Sequence, residues 1–181
     1  MKLISSHIDL DDIDLHIVML LQEHCKMPLA KIGARVGLSA PAVVERIKKL
    51  EDSGVITGYT AVLDARRVGL DITAFIGVSI SHPTAIAAFE QDIEHLHDVL
   101  ECHHVTGVYT LMLKVKTANT STLEELISRI RSIDGVGRTE TMVVLSTYTE
   151  HLRLNLQFEP PPANKRARRN GEKPAERAGR A

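Results

Sequence analysis

The chain has 181 residues, 44% hydrophobic and 25% charged, a soluble composition with apolar content for one large core or two small ones. Its net charge of −1 conceals an asymmetry: residues 160–181 carry seven cations against two carboxylates, a net of +5, which leaves −6 on residues 1–159. No apolar run has the length of a membrane span, and MKLISSHIDLDDID lacks the basic, apolar and small-residue succession of a secretory signal; both argue against a membrane or exported protein and for a cytoplasmic one.

The first predicted element is a helix over LDDIDLHIVMLLQEH. Asp11 is a candidate N-cap, Asp12 and Asp14 put negative charge in the first turn, where the helix dipole favours it, and Ile13, Ile17, Leu20 and Leu21 form an apolar face that ends near His24. PLAKIGARVGLS predicts a short helix with Leu29, Ile32 and Val36 inward, closed by Gly37 as a left-handed C-cap. The next helix begins at once. Ser39 can cap it, Pro41 lies in the first turn, where no amide donor is needed, and Val43, Ile47 and Leu50 recur as an inward stripe before Gly54. Its outer face carries Arg46, Lys48 and Lys49, and with Lys31 and Arg35 of the preceding helix against Glu45 they give residues 31–49 a local +4 within an acidic chain. Two helices joined by a tight glycine turn form the helix-turn-helix pattern; the alternative is an αα-hairpin with a structural role only, and the supporting third helix and the local +4 favour double-stranded DNA as the expected partner. On this reading the helix enters the major groove from Ser39 onward. Ala40, Pro41, Ala42 and Glu45 then lie closest to base edges, while Arg46, Lys48 and Lys49 meet mainly phosphates.

Beyond Gly54 the period changes. VITGYTAVLD predicts a strand of about ten residues, rich in β-branched and aromatic types, and ARRVG a linker. Strands then follow at 72–80, 99–105, 109–116 and 137–148, with helices at 83–96 and 120–133. The order βαββαβ predicts an α+β, ferredoxin-like sandwich: a four-stranded antiparallel sheet with both helices on one face. Leu111, Leu113 and Val115 alternate with Met112 and Lys114, which leaves the second face partly apolar, and dimerisation is its simplest cover. The expected boundaries are 1–54 for the helix-turn-helix domain, 55–71 for the connecting strand and linker, 72–158 for the ferredoxin-like oligomerisation and effector domain, and 159–181 for a basic disordered tail.

His95, His97, Cys102, His103 and His104 fall within ten residues, but His103 and His104 must face opposite sides of a strand and no CxxC or HxxxH spacing occurs. No metal site and no cofactor is expected, and Cys25 and Cys102 read as free thiols. The tail PPPANKRARRNGEKPAERAGRA is proline-interrupted and nearly devoid of apolar residues, suited to nonspecific DNA affinity or solubility.

Several stretches together resemble the leucine-responsive regulator (Lrp/AsnC) family: LDDID at 10–14, VGLSAPAVVERIKKLEDSGVITGYTAVLD at 36–64, LECHHVTG at 100–107, LMLKV at 111–115 and GVGRTETMVVL at 135–145. The resemblance runs in order over roughly residues 8–150. It implies a transcription regulator with an N-terminal helix-turn-helix and a ferredoxin-like (RAM-type) domain that assembles into dimers and higher rings such as octamers, with amino acids bound between subunits. It places an effector at Gly107, Val108, Tyr109, Thr110, Thr139 and Thr141. Many members carry an acidic loop after VTG, whereas this chain has Val108 and Thr110 at the two acidic places. A basic side chain would find no carboxylate there, so the expected effector is a neutral amino acid. Two other function classes compete with this one. A siroheme decarboxylase resembles the family in fold and is the enzymatic alternative to a non-enzyme regulator; RNA binding on the sheet would need stacked aromatics, which YTLMLKVK lacks beyond Tyr109.

Overall fold

The structure, a computed structural model, describes residues 8–156 and Phe158, and these divide into two compact units. The first comprises the chain up to Thr60 and the segment from Leu152; the second is Ala61–His151. The basic tail at 159–181 lies outside the described residues.

In the first unit, α1 spans Asp12–Glu23, α2 Leu29–Val36 and α3 Ala40–Asp52. Asp11 caps α1, its Oδ1 accepting the Asp14 amide at 2.8 Å. Ile17, Leu20, Met27, Ile32, Val43 and Leu50 are buried together, with Val36, Leu38, Ile47, Val55 and Ile56 packed around them. Gly37 closes α2 at φ 76°, as expected. The closeness of the turn depends on Gly33 as well, because a Cβ there would lie 2.4 Å from the Leu38 carbonyl oxygen. Leu29, expected inward, is 39% exposed: it opens α2 directly after Pro28, and Ile32 carries the inward contact. The segment from Leu152 returns to α1. The Gln22 side chain accepts the Leu154 amide at 2.7 Å and donates to its carbonyl at 3.3 Å, and the Phe158 ring lies 5.8 Å from that of His16. An expected second domain reaching residue 158 carries no signal for this return, whose contacts include the Gln22 side chain against the Leu154 backbone and the Phe158 ring near His16.

The second unit contains β1 (Ile72–Ile80), α4 (Ile86–Glu94, after a 3-10 turn at Pro83–Ala85), β2 (Val99–His104), β3 (Leu111–Thr117), α5 (Thr120–Arg131) and β4 (Val136–Val143). The sheet is antiparallel in the order β2-β3-β1-β4, the ferredoxin-like arrangement. Ala74, Ile76 and Val78 of β1 and Leu111, Leu113 and Val115 of β3 share one face, which α4 and α5 cover with Phe89, Ile93, Leu123, Leu126 and Ile130. On the other face Phe75 is 38% and Met142 43% exposed.

The expected strand at 55–64 is absent. Val55 and Ile56 pack into the first core, and residues 57–64 pair with no strand among the described residues. A β-prone segment forms a strand only where another offers its backbone, and this one finds none among the described residues. For the same reason β4 ends at Val143 rather than near Tyr148.

Candidate nucleic-acid interface and effector loop

The Ser39 hydroxyl accepts the Ala42 amide at 3.5 Å and starts α3, with Pro41 in its first turn. Val43 and Leu50 bury one side. Pro41, Val44, Glu45 and Lys48 are all exposed, and their i, i+3, i+4, i+7 spacing makes a single outward stripe. Ala40 and Ala42 are half-buried on its flanks and Lys49 is exposed beside it. The stripe offers two methyl groups, a carboxylate acceptor and an ammonium donor, groups able to meet a thymine methyl, a cytosine amino group and a guanine edge or phosphate. Val44 escaped the sequence reading, which followed the charges. The signal was available, since Val44 lies one turn beyond Pro41 and off the Val43-Ile47-Leu50 stripe.

Arg46 sits differently. Its Nη1 donates to Asp11 Oδ2 at 2.5 Å and to Asp14 Oδ1 at 2.9 Å, across to the start of α1. Asp14 is 5% exposed, and Arg46 is its cation. The hydrogen bond from Arg46, followed by that from the Asp14 amide, holds the Asp11 carboxyl below its ordinary 3.8. Arg35 lies 3.6 Å from Glu23, while Lys31 is exposed.

The six residues expected at the effector site do not converge within one chain. Gly107 takes φ 121°, and Val108 beside it is 79% exposed. The Thr110 amide donates to the Val78 carbonyl at 2.9 Å and its Oγ1 accepts the Ile80 amide at 3.1 Å, so this residue extends the β1–β3 ladder by one step. Tyr109 lies over Gly77, where a Cβ would come within 2.6 Å of its ring, and its hydroxyl donates to the Glu140 carboxylate, which raises the phenol's pKa above its ordinary value. Thr139 and Thr141 pair with Val78 and Ile76 and so share the helix-covered face, while Glu140 and Tyr109 occupy the opposite one. The two threonines do point the same way, as their spacing required, but away from Tyr109. Thr139 Oγ1 already accepts from Arg131 Nε at 2.8 Å. A cavity of about 430 Å³ in this unit is lined by Asp64, Arg66, Thr73, Lys116 and Glu150 among others, and by none of these six. On β2, Cys102 and His104 pair with Leu113 and Leu111 on the helix-covered side and His103 with Met112 on the other, and His103 Nε2 lies 3.1 Å from Glu101.

The geometry has close counterparts among known proteins. Residues 10–51 match the AsnC-type helix-turn-helix domain and residues 73–154 the Lrp/AsnC ligand binding domain. The chain is 34% identical to the HTH-type transcriptional regulator FL11 of Pyrococcus abyssi over 150 residues, 83% of this chain and 99% of that protein. It is also 34% identical to the HTH-type transcriptional regulator LrpA of Mycobacterium tuberculosis over 139 residues, 77% of this chain and 92% of the relative. Among solved structures, a transcriptional regulator of Neisseria meningitidis in complex with L-methionine superposes with a TM-score of 0.78 at 28% identity, covering 82% of this chain and 98% of that one. A feast or famine regulatory protein of M. tuberculosis complexed with L-methionine gives 0.76 at 32% identity, covering 81% and 99%.

Proposed function

The chain belongs to the Lrp/AsnC family of DNA-binding transcriptional regulators, and from that premise we propose how it reads DNA and what modulates it. The DNA-facing surface is the stripe Pro41, Val44, Glu45 and Lys48, entered through the small residues Ser39, Ala40 and Ala42 at the start of α3, with Lys49 and Lys31 on the flanking phosphates. The observation that carries this reading is the stripe itself: a helix with one side in the core and a second, mixed apolar and charged, left open at groove-reading spacing. The protein acts as a dimer or larger assembly in the cytoplasm, and regulation rather than catalysis is its role. The half-apolar sheet face bearing Phe75 and Met142, the unpaired segment 57–64 and the exposed Leu145 and Tyr148 all support association with further copies.

The effector is a neutral amino acid bound between subunits at the loop 107–110. Val108 is too exposed to close a pocket in its own chain, so a second copy must supply the opposite wall. Neither acidic place of the loop carries a carboxylate, which disfavours a basic side chain, and the two neighbours crystallised with L-methionine support a neutral, apolar one. Calorimetry on the purified oligomer with methionine, leucine, phenylalanine, lysine and arginine tests this. Heat from the neutral members is the expected result, with Val108→Asp moving preference toward ligands that present an accessible ammonium group; tight lysine or arginine binding would overturn the charge argument.

A further inference from the structure

Arg46 looks at first like one more cation for the DNA backbone. On an α-helical wheel it lies about 150° round from the centre of the Pro41, Val44, Glu45 and Lys48 stripe, beside the buried Val43. Its side chain is 31% exposed and is spent on α1: one nitrogen bonds both Asp11, the N-cap, and Asp14, which is buried at the seam between the helices. Asp11 in turn holds the Asp14 amide, so three side chains close a small network between the first turn of α1 and the middle of α3. A buried carboxylate without its cation is costly, and the helix bearing that cation is therefore fixed in rotation and height against α1. Rotation about its own axis is the degree of freedom that decides which residues of a recognition helix reach base edges, because neighbouring residues lie about 100° apart.

We propose that Arg46 is a positioning residue for sequence-specific DNA binding: its guanidinium sets the posture of α3 through Asp11 and Asp14, and it makes no phosphate contact of its own. The inference rests on the reading that α3 enters the groove. The two roles leave different signatures. A lost phosphate contact weakens operator and random DNA alike and lowers the slope of log K against log[salt] by about 0.9. A lost posture weakens the operator selectively and leaves the slope unchanged.

The test uses the full chain and a duplex that the wild-type protein selects from a randomised library. Arg46→Met should weaken the selected duplex by about fivefold to fiftyfold, the range of coupling within one side-chain network. Affinity for a scrambled duplex and the salt slope should not move. Adding Asp14→Asn to Arg46→Met, which removes the stranded charge, should recover most of the loss. A slope lowered by about one contact, with equal losses on both duplexes and no recovery in the double variant, would show Arg46 on a phosphate and overturn the proposal. Should Arg46→Met fail to fold, Asp14→Asn alone reads the same coupling: it should weaken the selected duplex although it removes a negative charge near DNA, and tighter binding would contradict the assignment. If the wild type selects no sequence at all, the groove reading fails before Arg46 is in question.

Discussion

At the scale of single residues, charge was an incomplete guide to role. Arg46, Lys48 and Lys49 carry the same charge, yet the first is bonded into the helix seam while the other two are exposed. Val44 carries no charge and lies on the outward stripe with 47% of its surface exposed. Its methyl groups are suited to a thymine methyl. Val44→Ser should therefore lose preference for thymine at one position of the selected sequence, at a cost of about 1 kcal/mol or more on the original duplex. Replacing that thymine by uracil should weaken the wild type and not the variant; selection of an unchanged consensus by Val44→Ser would remove Val44 from the base contacts. The Asp11 carboxyl yields a second expectation. Arg46 and the Asp14 amide lower its pKa in the folded state, so its contribution to stability is present above 3.8 and is lost as pH falls through the lower folded value. Thermal unfolding should show a small loss of stability below about pH 4 that Asp11→Asn reduces, small because the side chain is 52% exposed.

At the scale of elements, whatever depends on local chemistry was legible. The caps at Asp11 and Ser39, the left-handed Gly37 and the alternation in β3 each fix a boundary or a face from a few adjacent residues, and helices α1 to α3 lie within a residue or two of their expected limits. Gly33 was less legible, since its need for glycine comes from the Leu38 carbonyl across the turn. Gly33→Ala should destabilise the helical unit by about 1–3 kcal/mol, the usual cost of overpacking, measurable by denaturant titration. A stability equal to wild type would mean that the turn relaxes freely. The strand expected at 55–64 failed for the complementary reason. Val55, Ile56, Val62 and Leu63 have strand character, but pairing is a property of two segments, and a sequence shows only one. Tyr109 and the two threonines of the expected effector set lie on opposite faces of the sheet for a similar reason. Thr139 and Thr141 were placed correctly relative to each other, whereas their relation to Tyr109 depends on the register of β4 against β1, which alternation alone does not supply.

At the scale of the whole molecule, one chain leaves several apolar surfaces open, which support the proposed assembly: a sheet face at Phe75 and Met142, and the nearly bare Leu145 and Tyr148 at 91% and 96% exposure. Phe75→Glu with Met142→Glu should shift sedimentation toward smaller species while leaving circular dichroism intact; an unchanged oligomer would place the interface elsewhere. A two-fold assembly also demands half-sites about one helical turn, roughly 34 Å, or a multiple of it apart, so a five-base-pair insertion between them should weaken binding and a ten-base-pair insertion should largely restore it. Reading of DNA sequence by the outward stripe of α3 is tested most directly by selection from a randomised duplex library with the full chain, followed by titration of the selected and a scrambled duplex across a range of salt concentrations, with wild type and the joint Val44→Ser, Glu45→Ala variant compared. A two-fold-related consensus is expected, with a preference for it approaching about 10³-fold and loss of most of that preference in the variant with the salt slope unchanged. Equal affinity for both duplexes, or a consensus and preference that survive the variant intact, would contradict sequence reading by the stripe.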